Sequence, residues 1–247
     1  MKRWIITVTA ALALGTGWAL AAAQKKDLDI KAPDGANLKA SYFSPDRPGP
    51  AILLIHQCNM DRHSWDSLAN DLVSAGFHVL TFDLRGFGES DGKTTNAVDR
   101  QAAREKWPAD VDAMFAYLLA QKDVDRSRVA AGGASCAVGL SADLAARHHE
   151  ITALIGLSGG ASEQTKGYIA QTPELAIFGT ASEGDTTNPA APKATKELLA
   201  TSRNPQSQLH MYPGTEHGVP LYTKHSELEP MIVSWLMTRL KANGNSR

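Results

Sequence analysis

The pentapeptide Gly133-Ala134-Ser135-Cys136-Ala137 lies between an apolar run and a stretch with helical spacing. A serine on a sharp strand-to-helix turn is thrust above the sheet with its hydroxyl exposed. The turn is crowded, so the residues two before and two after must be small. Gly133 and Ala137 meet that demand. Alone, the pentapeptide reads equally as a strand followed by a helix-capping serine. A serine hydroxyl is a weak nucleophile and needs a base in hydrogen-bond reach. Histidine suits that task because it titrates near neutrality. A carboxylate then holds the imidazole in one tautomer and stabilises its charged form. The chemistry open to Ser135 is attack on an acyl carbon, provided the fold delivers a histidine and an acid to it.

The elements that must do so follow from periodicity. Residues 27–30 and 38–43 read as an antiparallel hairpin around the turn Pro33-Asp34-Gly35. Residues 51–55 are continuously apolar, as in a strand buried on both faces. Further strands are expected over 78–82, 128–134, 151–157, 175–178 and 208–212. Helices are expected over 64–75, 109–120, 139–148, 196–201 and 229–240, the first stopped by Gly76. A hairpin followed by alternating strands and helices predicts an α/β fold: a mostly parallel sheet with helices on both faces. Ligands of such sheets sit beyond the carboxyl ends of the strands. The informative residues are therefore those that follow each strand.

His56-Gln57-Cys58-Asn59 follow the third strand. Asp83-Leu84-Arg85-Gly86-Phe87-Gly88-Glu89-Ser90 follow the fourth, and Pro213-Gly214-Thr215-Glu216-His217-Gly218 follow the last. At these residues, together with Gly133 to Ala137, the chain resembles the α/β-hydrolase superfamily from about Leu38 to Leu240. Within it the chain is similar to the dienelactone-hydrolase-like branch. The short segment between Leu157 and Leu175 leaves little room for a cap domain. The superfamily's chain order is nucleophile, acid, histidine. The resemblance thus implies Ser135 as nucleophile, His217 as base and an acid after the strand that ends at Phe178. Asp185 is the expected acid. Glu183 is its rival, because Ser182 occupies the place where many relatives carry the aspartate. His225 is a weaker rival to His217. The backbone N–H groups of Cys58 and Cys136 take the places of the superfamily's oxyanion donors. His56 takes that of a histidine organising the loop behind the site. Gln57 stands where relatives often have glycine, and its side chain is expected to reach into the pocket. Arg85 is expected to tie down its own loop.

The implied activity is cleavage of a small carboxylic ester or lactone through an acyl-enzyme, with no cofactor and no metal. Two alternatives stay open. A dienelactone-hydrolase-type enzyme would use Cys136 as nucleophile, but shifting the elbow by one residue puts a branched Val138 in the crowded place. A member of the superfamily can also persist as a catalytically silent binding protein.

The rest of the chain sets the context. Its 247 residues, 43% apolar and 21% charged, suit one soluble domain. Lys+Arg of 25 against Asp+Glu of 26 gives no electrostatic footprint for nucleic acid. Lys2 and Arg3, an apolar run to Leu20 and Ala21-Ala22-Ala23 have the layout of a secretory signal peptide over 1–23, with a retained membrane anchor as the alternative, for which the run is marginal. The expectation is a single domain over 24–247, exported to a periplasm or beyond, with no membrane association after cleavage. Cys58 and Cys136 are the two cysteines. The resemblance aims both their N–H groups at one oxyanion, which puts the two nitrogens at most ~6 Å apart and the Cα atoms similarly close; a disulfide, which spans roughly 4.4–6.8 Å between Cα atoms, is one reading. Two packed thiols are the alternative, because convergent N–H groups do not fix the direction of the sulfurs.

Overall fold

The computed structural model describes residues 24–93 and 96–241. The expected signal peptide at 1–23 lies outside the described residues. Eight strands form one sheet: β1 (Gln24–Lys31), β2 (Asn37–Ser44), β3 (Gly49–Ile55), β4 (His78–Phe82), β5 (Val124–Ala134), β6 (Ile151–Leu157), β7 (Ala176–Ser182) and β8 (Gln208–Tyr212). Their spatial order is β1-β2-β4-β3-β5-β6-β7-β8. β1 pairs antiparallel with β2, and β2 antiparallel with β4. Every pairing from β4 through β3 to β8 is parallel. This is the expected α/β architecture with an N-terminal hairpin.

The helices are α1 (Asp66–Ser74), α2 (Ala97–Leu119), α3 (Cys136–Arg147), α4 (Glu163–Gln171), α5 (Ala191–Thr201), α6 (Leu221–Lys224) and α7 (Leu228–Arg239). One core layer joins Val111 and Phe115 of α2, Val138 of α3, Ile169 of α4 and Leu198 of α5 to one face of the sheet. The other joins Leu68 and Leu72 of α1 and Ile232 and Leu236 of α7 to the opposite face. Covering both faces explains why residues 51–55 of β3 are a continuous apolar run and why every residue of β4 is buried, His78 and Thr81 included.

The structure departs furthest from the sequence expectations in α2 and α4; α5 also starts five residues before 196, and the one-turn α6 lies where no helix is expected. α2 begins twelve residues before 109 and runs through Pro108, capped by the Asn96 side chain on the Asp99 N–H. Its first turns are mostly exposed, with Val98 facing outward, so they carry no apolar period to read. α4 occupies the segment between β6 and β7, where no helix was expected. Ser162 caps it, but only Thr165 and Ile169 are buried, too few to mark a face. That single short helix is all that stands at the usual place of a cap domain.

Arg85 does more than tie its own loop. It pairs with Asp34 in the β1–β2 turn at 2.7 Å and with buried Asp110 of α2 at 2.7 Å, fastening the hairpin to the helical layer. The guanidinium holds the Asp34 carboxyl down at about 2.

Candidate active site

β5 ends at Ala134, and α3 starts at Cys136. Ser135 makes the whole turn between them, with φ 55° and ψ −120°. That region belongs almost entirely to glycine and is strained for any residue with a Cβ. A Cβ on Gly133 would lie 2.2 Å from the carbonyl oxygen of Ala137, so glycine is obligatory there. Ala137 is fully buried yet small enough to fit.

His217 follows β8, and Asp185 follows β7, so both come from the carboxyl edge on which Ser135 sits. His217 Nε2 lies 2.7 Å from Ser135 Oγ, and Nδ1 lies 2.5 Å from Asp185 Oδ2. A carboxylate accepts only, so Nδ1 carries the proton and Nε2 receives the serine hydroxyl. Asp185 Oδ1 takes the N–H groups of Thr187 and Asn188 at 3.0 and 2.8 Å. The acid is thus fixed from its own loop as well as by the imidazole.

The rivals are elsewhere. The Glu183 carboxylate pairs with Lys196 at 2.8 Å and is half exposed. His225 stacks on Tyr212, ring centroids 3.8 Å apart. Cys136 is joined to Cys58 in a disulfide, Cα atoms 6.1 Å apart, and so presents no thiol.

The same bridge ties together the two expected oxyanion donors. Cys136 opens α3, and the N–H of a first helical residue has no intrahelical partner. Cys58 lies in the loop after β3, and among the described residues its N–H has no protein acceptor. His56, buried behind this loop, accepts the Leu84 N–H at Nε2 (2.9 Å) and donates from Nδ1 to the Gln57 carbonyl (2.8 Å). It fastens the loop after β3 to the one after β4. Burial pushes its pKa below the usual histidine value, in keeping with an Nε2 that must stay bare to accept.

Gln57 does not reach into the pocket. Its side chain turns to the histidine loop, accepting the Val219 N–H at 2.9 Å, and donates to Asn59 Oδ1 at 2.7 Å. Ser158, just beyond β6, belongs to none of the sequence motifs. Its buried Oγ accepts the Gly218 N–H at 2.9 Å. The only sequence signal for it is its place at the carboxyl end of a central strand. Among the described residues no group of three or more His, Cys, Asp or Glu could hold a metal ion. No described helix is long and apolar enough to cross a membrane.

Comparison with known proteins agrees with this architecture. Residues 50–210 match the family described as alpha/beta hydrolase fold. An esterase of Pyrococcus furiosus superposes with a TM-score of 0.70 at 16% identity, over 88% of this chain and 92% of that one. Acetyl xylan esterase 1 from a Thermoanaerobacterium species gives 0.66 at 17%, over 91% and 86%. At such identities the likeness is one of fold. An uncharacterized protein of Mycobacterium tuberculosis is 34% identical over 125 residues, 47% of this chain and 41% of its own length. The chain therefore matches less than half the length of that curated relative.

Proposed function

The chain belongs to the alpha/beta hydrolase fold family, and from that premise we propose that it is a serine hydrolase cleaving a small carboxylic ester or lactone. Ser135 Oγ attacks the acyl carbon while His217 Nε2 takes its proton. Asp185 holds the imidazole and stabilises its charged form. The N–H groups of Cys58 and Cys136 stabilise the negative oxygen of the tetrahedral intermediate. Collapse expels the alcohol, protonated by His217, and leaves an acyl group on Ser135. Water, activated by the same imidazole, then releases the acid. For a lactone, the expelled alcohol stays attached to the acyl chain.

One observation carries this reading. An unbroken hydrogen-bonded line runs from Ser135 Oγ through both nitrogens of His217 to Asp185, starting from a serine held in a strained elbow. Backbone strain of this kind concentrates where function requires it. The single short helix between β6 and β7 favours small, unencumbered substrates reaching an uncapped site. The esterases of similar fold support the ester class.

The test uses the purified chain, p-nitrophenyl acetate and a fluorophosphonate probe. Turnover and labelling at Ser135, both abolished in Ser135→Ala, are expected. A wild-type chain that is folded but neither turns over nor labels would mark a silent binding protein. We further propose export, with the signal at 1–23 removed before the domain at 24–247 works outside the cytoplasm.

A further inference from the structure

We propose that Gln57 and Ser158 are positioning residues that hold the backbone of the His217 loop and so set the distance between base and nucleophile. This rests on the reading of His217 as the base.

The base stands on a loop, between β8 and α6, that includes two positive-φ glycines, Gly214 and Gly218. Loops are the mobile part of a fold. A proton acceptor for Ser135 must nevertheless stay within a few tenths of an ångström of its place. The hydrogen bonds to the ring fix its tautomer and tilt. They do not fix the chain that carries it.

Two buried side chains do. The residues immediately after His217 present consecutive N–H groups inward. Ser158 Oγ accepts from Gly218 at 2.9 Å, and Gln57 Oε1 accepts from Val219 at 2.9 Å. Gln57 and Ser158 are 2% and 0% exposed. They stand just beyond β3 and β6, the strands that flank β5, which carries Ser135. The histidine loop is therefore hung from both neighbours of the nucleophile strand.

Both contacts carry marks of fit. Ser158 has φ 56°, a conformation that glycine adopts without strain, yet a serine stands there with its hydroxyl on the Gly218 N–H. At position 218 itself a Cβ would lie 2.2 Å from Gln57 Oε1, and φ is 66°, so glycine there admits the glutamine. The Gln57 amide has one possible orientation, because Val219 N–H can meet only an oxygen. Its nitrogen then faces Asn59, the residue after the proposed oxyanion donor Cys58. One amide thereby ties the base loop to the oxyanion loop.

If these contacts set the Nε2–Oγ distance, removing either lowers the chemical step and leaves substrate binding nearly intact. The variants are Gln57→Met, which keeps length and removes the acceptor, and Ser158→Ala. Ser158→Gly removes the same hydroxyl while easing the positive φ, and keeps the test open should the alanine variant misfold. For folded variants, kcat for p-nitrophenyl acetate should fall about tenfold or more with KM within about twofold, since an ångström of misplacement can cost about a hundredfold. The downfield proton resonance of His217 Nδ1–H should shift or broaden in each. Folded variants with kcat within about twofold of wild type, or a loss carried by KM with the resonance unmoved, overturn the inference. Loss of the parent reading looks different. A wild-type chain without turnover and without Ser135 labelling removes the base assignment and this inference with it.

Discussion

Asp185 engages His217 with one oxygen and its own loop with the other: Oδ2 lies 2.5 Å from Nδ1, while Oδ1 receives the Thr187 and Asn188 N–H groups. An amide at this position can present an N–H to Nδ1 and turn the imidazole into the wrong tautomer. Asp185→Asn is expected to lower kcat for p-nitrophenyl acetate by about three to four orders of magnitude. Glu183→Gln, which touches only the ion pair with Lys196, should stay within about twofold of wild type. The reverse pattern would move the acid to Glu183.

The disulfide makes a prediction of its own. Protein unfolded without reductant should show no free thiol, and two after reduction. Breaking a link that spans 78 residues is expected to cost about 2–5 kcal/mol of stability, read from urea unfolding of Cys58→Ser. Cys136→Ala loses the bridge but keeps the backbone N–H, so turnover should persist at a reduced level. Ser135→Ala should show none. Turnover abolished by Cys136→Ala in a folded protein, with Ser135→Ala still active, would identify the cysteine as the nucleophile.

How far these residues could be read from the sequence depends on where they stand. Ser135 and Asp185 follow β5 and β7, whose buried stretches announce themselves as apolar runs, whereas His217 follows the half-exposed edge strand β8 and is marked by the Pro213–Gly218 turn instead. Once the strand ends are found, few side chains compete for each role. The choice of Asp185 over Glu183 rests on the turn after β7, where one carboxylate faces the imidazole and the other faces Lys196. Sequence spacing does not fix that direction. Ser158 and the true direction of Gln57 were illegible for a related reason. Their partners lie across the sheet, 60 and 162 residues away, and such contacts depend on loop paths that carry no period. The first turns of α2 and all of α4 escaped because periodicity reports burial, and these turns bury little.

His56 predicts a pH dependence. Its folded pKa is pushed down by burial, as are those of His78 and His210. The unfolded chain takes up these protons near the ordinary histidine value, while the folded chain resists them. Stability is therefore full above that value and falls as pH drops through it toward the folded pKa. The urea midpoint should be lower at about pH 6 than at about pH 7.5. Ring-proton titration of His56 should give a midpoint below the ordinary histidine value. A His56 midpoint at or above that value would contradict the assignment of a bare Nε2.

Export is tested by mass. Protein recovered from its native host is expected to begin near Gln24, after the small residues Ala21 to Ala23. Intact mass showing residues 1–23 retained in a membrane fraction would refute cleavage.

The conformation of Ser135 sets activity against stability. A residue with φ 55° and ψ −120° costs the folded state about 1–3 kcal/mol that glycine in the same place would not. Ser135→Gly should therefore be inactive and yet melt at a higher temperature than the active chain. Selection for stability alone would favour glycine over the proposed nucleophile. The most strained residue of the elbow is thus a point where the demands of folding and of chemistry pull in opposite directions.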